Sequence, residues 1–286
     1  MSQAEQAFRD GDLTVARRLT QERIRKDPTG TGPRTFLIQL LALLGEWDRA
    51  RQQLALLAEF DKEAVPLVFT YGPALEAEPF RARVFAGAEK PVIFGQPAPW
   101  TALLVEALAH DAAGRTGAAD DLRAIAFEQA PATAGRSGEG GFTWIADADE
   151  RLGPMLEAIV NGQYLWVPFH QVRAIRLEPP QEPIDLVWAI ARFTWVNGGE
   201  AVGLIPARYP GSESIGGDGA AGEDQRLRLG RLTEWRPVKD GVERPFGQRI
   251  LVTSDREYPI LDLRDLDLEP PETATSWEAD GLSTHG

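Results

Sequence analysis

The feature that most constrains this chain is a 34-residue period in its first half. The segment "GDLTVARRLTQERIRKDP" begins at Gly11, "GEWDRARQQLALLAEFDK" begins at Gly45, and "GRTGAADDLRAIAFEQAP" begins at Gly114, about two periods further on. In each copy the glycine would end one helix with a tight turn, and an alanine five residues later would let two helices approach closely. A period of 34 residues in helical sequence is that of the tetratricopeptide repeat. The sequence therefore predicts a TPR-like α-helical repeat domain over residues 1–135.

One member of this repeat domain is irregular, and the sequence leaves two roles open for the domain. Residues 66–99 are rich in proline, so we expect one helix there, over roughly Leu75 to Ala88, in place of a regular pair. Stacked repeat helices form a concave surface that binds peptides. The apolar helix around Phe36, Leu40 and Trp47 would supply the partner-binding anchors. The alternative is that the helices only support the second half of the chain.

The second half has the two-residue period of β-strands. After a Gly/Ser-rich linker at 131–141, "MLEAIV-NG-QYLWVPF" reads as a hairpin around Asn-Gly, with a short helix over 155–160 as the competing interpretation. A second hairpin is predicted around residues 197–200, a strand over "VRAIRLE", and further strands in "LTEWRPV", "QRILVTS" and "YPILDL". We expect a mostly antiparallel β (α+β) domain over residues 142–269 and a disordered tail over 270–286. The fold class is thus a multidomain α and β protein.

Composition excludes several functions. The net charge of −13 and the lack of a basic stripe argue against nucleic-acid binding. No apolar run reaches the length of a membrane helix, and the first residues do not resemble a secretory signal. The absence of cysteine excludes disulfides and thiolate chemistry and agrees with a cytoplasmic location.

The sequence contains few residues whose types and spacing suit a catalytic or metal-binding site. The three histidines have no metal-ligand spacing, and the sequence around Ser212 is not a nucleophile elbow, so we expect no metal, no cofactor and no catalytic residue. The acidic stretch "DADERLGP" leaves three readings open. It could be a turn or a partner surface in which an acid pairs with Arg151, a cation site, or an acid/base pair, although it lacks the calcium-loop spacing.

Two long blocks carry a resemblance to a known family. "WIADADERLGPMLEAIVNGQYLWVPF" and "FTWVNGGEAVGLIPARYPGSE" resemble the ImpE/SciE family, also called TagJ, and the similarity extends over roughly residues 1–268. The family signature falls on Asp147, Asp149, Arg151, Gly153, Pro154, Asn161, Gly162, Tyr164, Trp166, Pro168, Phe169, Asn197, Gly198, Gly199, Arg208, Tyr209, Pro210, Gly211 and Ser212.

The resemblance implies a cytoplasmic accessory protein of bacterial type VI secretion without enzymatic activity. Family members are linked to the small sheath subunit, which is TssB-like, and to the sheath-recycling ATPase ClpV. The resemblance thus favours an adaptor that binds a sheath-subunit helix. The rival hypothesis is a hydrolase or metal-dependent enzyme built on Asp147, Asp149, Arg151, Arg208 and Tyr209.

Overall fold

The first half of the chain is helical. The structure, a computed structural model, describes residues 1–138, 140–217, 220–238 and 241–269. Its helices are α1 (Gln3–Arg9), α2 (Leu13–Lys26), α3 (Thr31–Leu43), α4 (Trp47–Phe60), α5 (Val65–Phe85), α6 (Pro99–Ala112), α7 (Thr116–Gln129) and the short α8 (Glu223–Arg228). The pairs α1–α2, α3–α4 and α6–α7 pack against each other. The helical first half predicted from the sequence is confirmed.

The glycines and alanines of the 34-residue period have the predicted local roles. Gly11, Gly45 and Gly114 lie between the paired helices and have φ values of 86°, 70° and 71°. A left-handed backbone suits glycine because it has no Cβ. Ala16, Ala50 and Ala119 are completely buried, as expected for small residues that let two helices approach closely.

The irregular member is one long helix. Helix α5 begins at Val65, ten residues before the predicted start, and includes Pro73 and Pro79. The prediction of a start near Leu75 is wrong, because Pro66 lies in the first turn of the helix, where proline is tolerated. One side of α5, with residues such as Tyr71, Leu75 and Val84, is buried along most of its length. This packing offsets the backbone hydrogen bonds that the prolines remove.

The second half is mostly antiparallel sheet. Its strands are β2 (Ala134–Ser137), β3 (Gly140–Phe142), β4 (Ile145–Asp147), β5 (Met155–Val160), β6 (Gln163–Pro168), β7 (Val172–Leu177), β8 (Trp188–Trp195), β9 (Glu200–Pro206), β10 (Thr233–Pro237), β11 (Glu243–Gly247), β12 (Ile250–Thr253), β13 (Glu257–Pro259) and β14 (Asp265–Glu269). The main sheet has nine strands in the order β1-β6-β5-β9-β8-β7-β14-β2-β3, where β1 (Val92–Ile93) comes from the helical half.

Both predicted hairpins are confirmed. Strands β5 and β6 pair around Asn161 and Gly162, whose φ values of 51° and 77° are those of the expected tight turn. Strands β8 and β9 pair around residues 197–199. The helix considered for residues 155–160 does not form. In β5 the alternation directs Met155 and Ile159 towards the helices, whereas Leu156 and Ala158 belong to a second core on the other face.

Several strands differ from the prediction. The stretch 131–141, predicted as a linker, contains β2 and most of β3. Its small residues fit a crowded edge of the sheet, because a Cβ at Gly135 would collide with the backbone of Asp267. Strands β1, β4, β11 and β14 were missed, and "YPILDL" turns after Pro259 before β14 begins. The tail 270–286 lies outside the described residues.

Helices and sheet share one core. Leu13, Leu40 and Leu75 of the helices belong to the same apolar cluster as Trp166 and Trp188 of the sheet. The helical half is therefore packed directly on one face of the main sheet. Within the described residues, no helix is long and apolar enough to cross a membrane.

Candidate functional site

A groove beside the first helices contains one of the three predicted anchors. It has a volume of about 680 Å³ and lies between α1, α3 and the loop 180–183. Phe36 lines it together with Phe8, and the two rings meet edge to face with centroids 6.1 Å apart. Aromatic side chains at a groove wall can bind an apolar helix face. We call this feature the Phe36 groove.

The other two predicted anchors lie elsewhere. Leu40 is completely buried in the shared core, so it presents no surface to a partner. Trp47 is half-buried and packs against Trp188, with ring centroids 5.9 Å apart. The sequence pattern does not separate these roles because α3 is apolar on most of its sides.

Charged side chains line the Phe36 groove next to its aromatic wall. Arg231 lies 5.9 Å from the centre of the Phe8 ring and donates a hydrogen bond to the Arg9 carbonyl at 3.0 Å. Glu5 and Glu182 also line the groove, and Gln39 donates to Glu182 at 3.3 Å. The groove thus offers both signs of charge to a partner.

The acidic signature residues are buried among arginines. Asp149 accepts hydrogen bonds from the backbone N–H and the guanidinium of Arg151, the shortest at 2.5 Å, so this acid forms the turn that one sequence reading proposed. Asp147 pairs with Arg249 and also accepts from the Asp149 N–H at 2.8 Å. Neither acid pairs with Arg208 through its side chain. The aspartates are 3% and 0% exposed, so they form no docking surface.

Glu157 is the centre of this network. It accepts from Arg81 of α5 at 2.6 and 3.0 Å, from the Tyr164 hydroxyl at 2.5 Å, and from Arg249. Arg81 also contacts Glu78 at 3.2 Å, and Glu78 accepts from the Trp188 indole at 2.8 Å. The network therefore joins α5 to strands β5, β6 and β8 with charge-assisted hydrogen bonds. We call it the junction network.

The remaining charged signature residue also joins the two halves. Arg208 donates to the carbonyl of Leu43, at the end of α3, at 2.9 Å and to the carbonyl of Arg228. Its own carbonyl accepts from Arg81 at 2.8 Å. Burial lowers the pKa of Arg208 to about 10, and the helix-terminal carbonyls suit its positive charge.

The uncharged signature residues shape turns and core. Ser212 Oγ accepts the Gly247 N–H at 2.8 Å, and Tyr209 exchanges hydrogen bonds with the Ile250 backbone. Gly153 has a φ of 51°, and a Cβ there would collide with the Phe127 ring. Trp166, Pro168 and Phe169 are buried in the main sheet and the turn after it, whereas Pro154, Pro210 and Gly211 are partly buried.

The residues named by the rival enzyme hypothesis do not line a common cavity. Asp147, Asp149, Arg208 and Tyr209 are at most 3% exposed. Arg151 pairs with Asp149 and lines a cavity of about 240 Å³ to which none of the other four contributes. Among the described residues, no group of three or more His, Asp or Glu side chains is arranged to hold a metal ion. Sequence reasoning missed Glu78, Arg81 and Arg249, because the residues of the second half that they bond, among them Trp188, Glu157 and Asp147, are far from them along the chain. The only signal for Glu157 was an acid in an otherwise apolar strand.

The junction network predicts an unusual dependence of stability on pH. Arg81 and Arg249 lower the pKa of Glu157 to about 2, against the desolvation that opposes its charge, so its stabilising effect is present above pH 4.5 and is lost as the pH falls towards 2. Burial raises the pKa of Asp147 to about 7, so its contribution is present below pH 3.8 and is lost as the pH rises through 7. We expect the free energy of unfolding, measured by urea unfolding at each pH, to fall less between pH 4 and pH 7 in Asp147→Asn than in the wild type. An unchanged decline in this variant would contradict the assignment.

Comparisons with known proteins place the chain in a family. The family model described as "ImpE protein" matches residues 139–267. The chain is 47% identical over 269 residues to the type VI secretion system accessory component TagJ of Pseudomonas aeruginosa strain PAO1, which covers 94% of this chain and 92% of the relative.

A solved structure has the same fold. The crystal structure of protein VPA1032 from Vibrio parahaemolyticus superposes with a TM-score of 0.82, over 96% of this chain and 100% of the other, at 23% identity. At this identity the likeness is evidence for the fold only. The high identity to TagJ over nearly the whole length, together with the match to the ImpE model, shows that the chain belongs to the ImpE/TagJ family.

Proposed function

We propose that this protein is a non-enzymatic accessory protein of a bacterial type VI secretion system, acting in the cytoplasm as an adaptor. Its TPR-like helical domain binds a helix of the TssB-like small sheath subunit and links that subunit to sheath assembly or to recycling by ClpV. The relationship to TagJ supports the role in secretion. The Phe36 groove, which opens between helices of the first half, is the observation that carries the binding proposal.

The shape and lining of the Phe36 groove suit an amphipathic helix. A helix is about 10 Å wide, and its apolar residues recur every three or four positions. Phe8 and Phe36 would contact this apolar stripe, and Leu186 and two prolines complete the apolar part of the lining. Arg9 and Arg231 would pair with acidic residues that flank the stripe, and Glu5 and Glu182 with basic ones.

Replacing Phe36 with alanine tests this proposal. Because a buried aromatic anchor of an interface contributes about 2 kcal/mol or more, we expect Phe36→Ala to weaken binding of a synthetic peptide of the sheath subunit's N-terminal helix by about thirtyfold. The measurement is isothermal titration calorimetry with the full chain.

A matched control is available on α5. Phe69 is 79% exposed and lies outside the Phe36 groove, so Phe69→Ala should leave the affinity unchanged. Equal weakening by both variants, or wild-type chain that does not bind the peptide, would overturn the assignment of the groove.

The domain division remains part of the proposal. We assign residues 1–135 to the helical domain, 142–269 to the β-rich domain and 270–286 to a tail. Since the two folded parts share a core and the junction network, we expect them to unfold in one transition.

A further inference from the structure

One wall of the Phe36 groove is a loop of the sheet half, and a buried acid holds this loop closed. The wall consists of residues 180–183 and Leu186, which belong to the connection between β7 and β8. The chain forms a 3₁₀ turn there, from Pro183 to Leu186. Asp185 lies within this turn, is 9% exposed and does not line the groove. Its side chain can therefore influence a partner only through the wall.

The Asp185 carboxylate binds the backbone of the wall. Its Oδ2 atom accepts hydrogen bonds from the N–H groups of Gln181 and Glu182, both at 2.9 Å. The Glu182 side chain in turn accepts from the Asp185 N–H, so the turn is closed in both directions. Hydrogen bonds from backbone donors to a carboxylate are stronger than those between neutral groups. One carboxylate thus fixes two consecutive residues of the wall.

The other oxygen of Asp185 connects the wall to helix α5. Oδ1 accepts from the Tyr71 hydroxyl at 3.4 Å. The Tyr71 ring stacks on Trp188 with centroids 6.2 Å apart, and the Trp188 indole donates to Glu78 of the junction network at 2.8 Å. All four side chains are buried. Asp185 is therefore held by groups that are themselves packed between α5 and the sheet.

The wall is the part of the groove that most needs such support. Most of the remaining lining belongs to α1 and α3, which are fixed by helix packing, whereas residues 180–182 lie in neither a helix nor a strand. A loop that becomes ordered only on binding costs conformational entropy. The apparent affinity also falls in proportion to the fraction of molecules in which the loop has the binding conformation.

Building on the function proposed above, we infer that Asp185 is a positioning residue of the Phe36 groove, which holds the wall 180–183 in the conformation that the partner helix binds. Asp185 does not touch the partner. Its removal changes the affinity of the groove while every side chain that lines the groove stays in place.

The test is isothermal titration calorimetry of the full chain with the peptide of the sheath subunit's N-terminal helix. We expect Asp185→Ala to weaken binding about tenfold, because the wall is then ordered in a small fraction of molecules. Asp185→Asn keeps an oxygen that can accept both N–H groups, so its affinity should lie within about threefold of wild type. Asp61→Ala is the matched control. Asp61 caps another 3₁₀ turn by accepting the Glu63 N–H at 2.8 Å and does not line the groove, so this variant should bind like wild type.

Hydrogen exchange of the chain without peptide tests the wall by itself. In the wild type, the amides of Gln181 and Glu182 should exchange at least about tenfold more slowly than in a free peptide of residues 178–187, and Asp185→Ala should lose this protection. Protection that is absent in the wild type or retained in Asp185→Ala rules out the positioning role. Equal affinity of Asp185→Ala and a wild type that binds does so too, and leaves the proposed function intact. Wild-type chain that does not bind the peptide overturns the proposed function, and the positioning role with it.

Discussion

Replacing Arg249 with methionine is expected to lower the free energy of unfolding at pH 8 by about 3–5 kcal/mol, the cost of leaving a buried carboxylate without its partner. Arg249 is 0% exposed and is the one cation that contacts Asp147 through an ion pair in the described structure. Glu157 would keep Arg81 and Tyr164, so the loss falls mainly on Asp147. The measurement is urea unfolding followed by circular dichroism.

The destabilisation caused by Arg249→Met is also expected to depend on pH. Because Arg249 favours the ionised form of Asp147, its loss raises the pKa of that carboxyl further above about 7. The destabilisation should therefore be larger at pH 8, where the wild-type carboxyl is ionised, than at pH 5, where it already carries a proton. Combining Arg249→Met with Asp147→Asn should restore part of the stability, because the unpaired charge is removed. Arg256, an exposed arginine near the end of β12, is the control, and its replacement by methionine should not change stability measurably. Equal stability of Arg249→Met and wild type would contradict the role given to the junction network.

Replacing Arg81 with methionine is expected to have a similarly large effect, again about 3–5 kcal/mol. Arg81 is 4% exposed and connects α5 to Glu157 and to the Arg208 carbonyl, so its loss leaves buried acceptors unsatisfied on the sheet. A double-mutant cycle with Glu157→Gln measures the pairwise part of this effect. We expect a coupling of about 2 kcal/mol, as for directly bonded groups in one network.

The same helix supplies the control for Arg81. Arg83 lies two residues further along α5 with a side chain that is 52% exposed, and Arg83→Met should cost about 0.5 kcal/mol or less. A coupling near zero between Arg81 and Glu157 would show that α5 is held by apolar packing alone.

Local signals predicted local structure well. The Asn161-Gly162 turn and the glycines of the 34-residue period depend on backbone conformations that few residues adopt, so a short stretch of sequence is enough to identify them. The family resemblance was also readable from the sequence, and it is confirmed by the comparison with TagJ. Helix α5 shows the limit of such signals, because it continues through Pro73 and Pro79 where one side, from Tyr71 to Val84, is buried against the rest of the molecule.

The roles of the signature residues required the tertiary structure. Asp147 and Arg249 are separated by 102 positions, and Arg81 and Glu157 by 76, so no local pattern indicates these pairs. The placement of Leu40 in the core and Phe36 at a groove depended in the same way on which side of α3 the sheet covers.

The sequence by itself determined the turns, the alternation of the strands, the helical period and the family, because each of these is encoded over neighbouring residues. Asp149 and Arg151 form a local turn that one sequence reading had proposed, whereas Asp147 acquired a role only when the fold brought Arg249 beside it. A buried charge is tolerated only beside an opposite one, and that proximity is a property of the folded molecule. The stretch that could have been a metal or catalytic site is thereby part of the interface that holds the helices on the sheet.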